Sequence, residues 1–241
     1  MQTSAPAPAP TQLACERRSV YELLIISAGM MGAYTYMLRG GVFCNAQTAN
    51  LVLMAIAFGN GNYHHALYFL IPFAAYVLGA FLSELLPKPV KKIGFLRWDT
   101  YLIGFETLVL ILIGFVPLTV PHQVVQVTIN FLASMQYNTF RQAEGIPMAT
   151  TFCTNHVRQV GIGLSDYLRK HDKAKLRRGF IHLMMLLGFT VGGLLMTLCC
   201  NWFGAKAIWL AALPMLINFI YLVYADIVPE HNMLDRKPRG H

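Results

Sequence analysis

What this chain most conspicuously lacks is charge. Only 12% of its residues are Asp, Glu, Lys or Arg, about half the roughly 25% of an ordinary soluble domain. Acid is the scarcer sign, with Asp+Glu 11 against Lys+Arg 19. No P-loop, His-Glu-x-x-His, Gly-x-Ser-x-Gly or dinucleotide fingerprint occurs, and no polar stretch is long enough for a soluble catalytic domain. Together these absences exclude a disordered chain, a coiled coil and a water-soluble enzyme. No enzyme activity, cofactor or metal is expected. Cysteine is sparse and odd in number (Cys15, Cys44, Cys153, Cys199, Cys200), with no metal-ligand spacing. Vicinal Cys199-Cys200 reads as a redox pair or, with more weight, as polarizable packing residues. A secretory signal is missing too, because the first apolar run, from Val20, is long enough to stay as an anchor.

What is present is apolar length. The hydrophobic fraction is 56% and the mean hydropathy +0.49. Six runs can cross about 30 Å of hydrocarbon, which takes ~20 helical residues: Val20–Leu38, Ala66–Leu86, Thr100–Val120, Gln123–Phe140, Gly179–Cys200 and Ala207–Ala225. The fourth carries Gln126, Thr128, Asn130, Ser134, Gln136, Tyr137 and Asn138, so it should face protein or a watery cavity. Thr48–Phe58 and Thr151–Leu168 are too short or too polar to cross comfortably and read as re-entrant half-helices. Residues 1–19, with an Ala-Pro run, read as a disordered cytoplasmic tail. Residues 227–241 read as a second cytoplasmic tail.

Charge chooses the topology. If both short segments crossed, the chain would have eight spans and the basic Lys88–Arg97 loop would lie outside. If neither crosses, seventeen of the nineteen Lys/Arg lie inside, leaving Arg39 and Lys206 outside. The positive-inside bias therefore favours six spans with both termini cytoplasmic. The basic excess then reports orientation in a bacterial inner membrane. Nucleic acid is not expected as a partner; the lipid bilayer is.

A weak self-similarity at a shift of about 106 residues sets Cys44–Asn50 opposite Thr150–His156. Each half holds three spans and one short helix. Three is odd, so the halves are expected to be inverted: residues 20–120 form one membrane repeat and 121–226 the other. This is the 3+3 design of many transporters. The expected fold is an all-α polytopic membrane protein with six transmembrane helices and two re-entrant half-helices. Two half-helix N-termini, one from each side, would place unpaired N–H groups near the midplane. Thr48, Asn50, Thr154 and Asn155 are residue types that cap such ends, and the same groups can hold an anion or a polar solute.

At these motifs the chain resembles the YoaK-like family of bacterial integral membrane proteins. That family's pattern has Gly-x-x-Asp in the first span, then Gly-Gly-x-Phe leading to Thr-Gly-Asn, and Thr-Thr-x-x-Thr-Gly in the second half. Gly40-Gly41-Val42-Phe43, Asn45–Asn50 and Thr150-Thr151 with Thr154 carry the resemblance over roughly residues 20–226. It implies the membrane fold and supplies no substrate. Three positions depart: the first-span acid is Gly32, and the motif glycines are Ala49 and Asn155. Losing the acid removes a proton- or cation-coupling group from that position, and losing the glycines limits backbone approach to a ligand.

The functional expectation is a transporter or channel for a small polar or anionic solute. The solute would be held by Asn45, Gln47, Thr48, Asn50, Thr151, Thr154, Asn155 and His156. Gln136, the intramembrane acid Glu106 and Arg141 are secondary candidates. Glu106 could instead snorkel or pair with Arg141 or Arg158, and His156 could relay protons or only pack. The alternative is a non-transporting assembly or regulatory protein of the membrane. Gly188-x-x-x-Gly192-Gly193 offers a small-residue face for internal packing or for a homodimer.

Overall fold

The computed structural model describes residues 12–92 and 94–239. Its helices are α1 (Arg18–Leu38), α2 (Gln47–Gly59), α3 (Tyr63–Tyr68), α4 (Leu70–Leu85), α5 (Pro87–Lys91), α6 (Trp98–Ile113), α7 (His122–Thr139), α8 (Thr154–Lys170), α9 (Lys173–Phe203) and α10 (Trp209–Ile227). A two-residue hairpin, β1 (Gln142–Ala143) with β2 (Ile146–Pro147), precedes α8. Two helical stretches among the described residues are long and apolar enough to cross a membrane, Tyr63–Lys91 and Lys173–Ile227. Large apolar side chains also point outward throughout, such as Phe81, Leu168, Trp202 and Ile220.

Local chemistry sets the boundaries. α2 stops at Asn60-Gly61-Asn62, where Gly61 takes φ 72, a left-handed conformation that glycine enters at no steric cost. α6 ends at Ile113, short of the expected Val120. Gly114 follows, with the Trp209 indole 1.9 Å from where a Cβ would stand, and Pro117 then prevents helix continuation. His171 at φ 52 ends α8, and the Asp172 carboxylate caps α9 by accepting from the Ala174 and Lys175 amides at 2.9 and 3.1 Å.

Close glycine contacts reveal how the helices pair. α1 packs on α9, where a Cβ on Gly29 would lie 2.1 Å from the Phe189 carbonyl and one on Gly192 would lie 2.2 Å from that of Ile26. Further along α1, Tyr34 reaches the Ala205 carbonyl just beyond the end of α9, so the two helices run in parallel. α4 packs on α7, also in parallel: Tyr76 meets Ser134 and Ser83 meets Asn138. α6 packs on α10 with Gly104 against Phe219 and Gly114 against Trp209, an antiparallel pair. α8 folds back on α9 through Gly163, whose added Cβ would stand 2.9 Å from the Gly179 Cα. The small face at Gly188, Gly192 and Gly193 is thus taken up by α1 and is not free for a homodimer.

Both expected tails need correction near the helices. Residues 1–11, and with them the Ala-Pro run, lie outside the described residues, as do Gly240 and His241. Leu13, Ala14, Cys15 and Glu16 are buried. They close against the C-terminal segment and the Lys88–Arg97 loop through a buried ion cluster. The Arg97 guanidinium lies 3.6 Å from Asp226 and 3.0 Å from Glu230 and donates to the Met233 carbonyl. Asp226 also accepts from the Arg97 amide and the Thr100 hydroxyl, and Glu230 from the Ala14 amide at 2.7 Å. The Glu144 amide ties the β-hairpin to the Glu16 carbonyl. Burial raises the Glu230 carboxyl above its usual range and holds the Cys15 thiol protonated, with Asp99 adding to the effect.

The opposite end has a different clamp. Arg39 is fully buried and donates to the Tyr34 hydroxyl and to the Val116 and Pro117 carbonyls. Tyr34 in turn donates to the Ala205 carbonyl. Neutral acceptors hold this cation, whereas two carboxylates hold Arg97.

Candidate polar site on α7

Polar residues recur on α7 every fourth position, at Gln126, Asn130, Ser134 and Asn138. At helical spacing these form one stripe. Gln126 donates to the Arg39 carbonyl and accepts from the Tyr68 hydroxyl. Ser134 donates to the Tyr76 carbonyl, and Asn138 bonds Ser83 and Glu84. The stripe therefore seats α4 against α7 while Asn130 reaches the segment before α2.

That segment is knitted to its neighbours. Asn45 donates to the Ala28 carbonyl on α1 at 3.1 Å, and Gln47 to the Asn130 carboxamide oxygen at 2.6 Å. Asn50 donates to the Phe43 carbonyl at 2.8 Å, leaving its buried Oδ1 without a partner. A Cβ on Gly32, the position of the family acid, would stand 3.2 Å from the Asn45 carboxamide.

Capping did not turn out as expected. α2 begins after Ala46 and α8 after Cys153, neither with a side-chain cap bond. Thr48 and Thr154 are exposed. Asn50 turns back to Phe43 instead, and Asn155 accepts from the Arg158 guanidinium at 2.9 Å. In both cases a nearby alternative donor or acceptor outcompetes the helix end.

The segment before α8 is less satisfied. Gln136 on α7 donates to the Thr150 carbonyl at 3.5 Å. Its Oε1 and the hydroxyls of Thr150 and Thr151 are buried without a hydrogen bond of normal geometry, although Thr151 lies beside the Tyr76 hydroxyl. A buried polar atom left unpaired costs about 1–3 kcal/mol, so this cluster is open to a partner. A cleft of about 270 Å³ flanks it, with Tyr137, Asn138, Arg141, Ala149, Phe152 and Asn155 among its lining residues. Asn130 and Gln136 are six positions apart, roughly 9 Å of helix rise. Residues 44–50 and 149–156 thus converge on one stretch of α7.

Of the remaining candidates Glu106 lies apart from this site, while Arg141 and His156 at its edge are held by other partners. Arg141 pairs with Glu84 and Asn138 and so does not reach Glu106. Glu106 is buried in α6 with both oxygens unpartnered. It neither snorkels to an interface nor pairs with Arg158. His156 has a partner that the sequence reading did not identify: its Nδ1 lies 2.9 Å from the Nδ1 of His182 on α9. The polar composition of α7 was visible in the sequence and Thr150 lay in the family motif, while His182 and the Arg97 cluster had no local signal.

The family model described as "Protein of unknown function (DUF1275)" matches residues 21–221. No curated protein and no solved structure matches the chain.

Proposed function

The chain belongs to the DUF1275 family, and on that premise we propose that it is a six-span inner-membrane transporter for a small polar solute, built as an inverted 3+3 repeat with both termini cytoplasmic. We read the YoaK-like resemblance and this family as one assignment. Support for the repeat comes from helix pairing. Exchanging the halves maps α1 onto α7, α4 onto α9 and α6 onto α10. The parallel pair α1–α9 then maps onto the parallel pair α4–α7. The α6–α10 pair maps onto itself, which an inverting two-fold axis requires to be antiparallel, and it is. In this reading α2 enters from outside and α8 from inside.

The observation that carries the solute site is the set of unpartnered atoms around α7. Asn50 Oδ1 and Gln136 Oε1 are acceptors, each oriented by the bond its own amide nitrogen makes. The Thr150 and Thr151 hydroxyls can donate or accept. Such a set favours a neutral solute bearing O–H and N–H groups over a simple anion. Rocking of the α1–α9 and α4–α7 pairs about this point would expose it to either side.

The test is stopped-flow light scattering of proteoliposomes challenged with glycerol, urea and alanine. Flux above that of protein-free vesicles for at least one, lost in Gln136→Leu and Thr151→Val at unchanged reconstitution, is the expected result. Wild-type flux equal to that of empty vesicles for all three would instead support the assembly or regulatory reading.

A further inference from the structure

Two buried histidines have no role in the solute site. His156 sits in the first turn of α8 and His182 in the third turn of α9, and both are fully shielded. Their Nδ1 atoms are 2.9 Å apart, and His156 Nε2 is 2.8 Å from the Ala149 carbonyl oxygen. His182 Nε2 has no partner.

These contacts fix where the protons are. A carbonyl only accepts, so His156 Nε2 carries a hydrogen. A neutral imidazole has one N–H, so His156 Nδ1 is then bare and accepts. The bond between the rings therefore needs the hydrogen on His182 Nδ1. This leaves His182 Nε2 as a buried lone pair. A proton arriving there creates an imidazolium at His182 while every existing bond survives: His182 Nδ1–H still donates to His156, and His156 Nε2–H still donates to Ala149. A second proton could bind only at His156 Nδ1, where it would break the link between α8 and α9.

We propose that the His156–His182 pair is a buried binding site for one exchangeable proton, taken up at His182 Nε2. The charges acting on His182 are those of His156 and of Arg178, one turn earlier on α9. Arg178 opposes the first charge at His182 as well as a second on the pair, so uptake is confined to acidic pH and stops at one proton. On α8 the neighbouring cation Arg158 is turned away to Asn155. On α1, packed against α9, Arg18 and Glu22 pair with each other at 3.0 Å. On α10, Asp226 is engaged by Arg97. Uptake thus loads the α8–α9 hairpin with charge without unlatching it. On the transport reading above, this is the coupling-ion site; the proton site itself stands on the pair alone.

The experiment is ¹⁵N NMR of the full chain in lipid nanodiscs, labelled at its eight histidines, with those outside the pair assigned by single substitution. At alkaline pH the proposal requires an Nε2–H tautomer at His156 and an Nδ1–H tautomer at His182, with scalar coupling across the Nδ1···Nδ1 bond. On acidification through the ordinary imidazole range and below it, only His182 of the pair becomes imidazolium, with a one-proton slope. Two Nε2–H tautomers, two imidazoliums, or no charging before unfolding would each overturn it. Coupling is read separately, as dependence of solute flux on an imposed pH gradient. That dependence should vanish in His182→Gln while downhill flux remains. If it persists in that variant the coupling role fails, whereas absence of all flux in the wild type is a failure of the transport reading.

Discussion

On the repeat reading proposed above, the two short helices occupy matching places in their halves, yet they are held differently. α2 has 13 residues with no charge and is approached by a segment whose amides are nearly all bonded, through Asn45, Gln47 and Asn50. α8 has 17 residues, carries Arg158, Arg169 and Lys170, and packs closely on α9. The segment leading into it leaves Thr150, Thr151 and Gln136 short of partners. Satisfied polar networks rigidify a structure, and partly satisfied ones are open to a ligand. On the transport reading, the first segment mainly scaffolds and contributes only the free Asn50 Oδ1, while the second supplies most of the binding groups. The ends beside them differ too, with a cation held by neutral acceptors at Arg39 and by two carboxylates at Arg97.

Four substitution experiments probe that contrast. The largest effect is expected from Gly163→Leu, because even a Cβ there would stand 2.7 Å from the Lys175 carbonyl. Overpacking of this kind costs about 1–3 kcal/mol or more and should lower the unfolding midpoint in detergent. Gly59→Ala at the end of α2, with nothing within 4 Å, should leave that midpoint unchanged or slightly raised. Next, Gln47→Leu strips Asn130 of its donor and should cost about 1–3 kcal/mol. Gln136→Leu removes an acceptor that is already unpaired and only a long 3.5 Å bond to the Thr150 carbonyl, so it should cost less stability than Gln47→Leu while losing flux. If Gln47→Leu and Gln136→Leu behaved alike in both assays, the division of roles would be wrong.

A smaller effect separates the two ends by pH. Glu230 has a raised carboxyl pKa in the folded chain, mainly from burial. A raised value favours the protonated folded form. Its contribution is therefore fully present below the ordinary carboxylate range and is lost as pH rises through the raised value. Unfolding midpoints measured across that window should fall with rising pH, and Glu230→Gln should flatten the fall. The smallest effects are expected from Thr48→Val and Thr154→Val. Both side chains are exposed, so each should change stability by no more than about 0.5 kcal/mol.

Helix positions were largely legible in the sequence because apolar length and Gly/Pro punctuation are local signals. α1, α7, α9 and α10 overlap the expected runs closely, and the polar character of α7 was visible in its composition. Other features had no local signature. Arg97 belonged to a basic loop by sequence, and only folding brings it to Asp226 and Glu230, more than a hundred residues away. His182 lay within an apolar run, and its pairing with His156 depends on the close crossing at Gly163 and Gly179. Thr48 and Thr154 were the right residue types for caps, but chain geometry turned them outward. Long-range pairing and side-chain direction are tertiary outcomes, and propensity does not encode them.

The central claim is that α2 and α8 enter from opposite sides. It is tested most directly by thiol labelling of intact cells with a membrane-impermeant maleimide, using Asn60→Cys after α2 and Asp172→Cys after α8, each read against the wild-type background. The account predicts that Asn60→Cys reacts in intact cells, and that Asp172→Cys reacts only after permeabilisation. Labelling of both from the same side would contradict it.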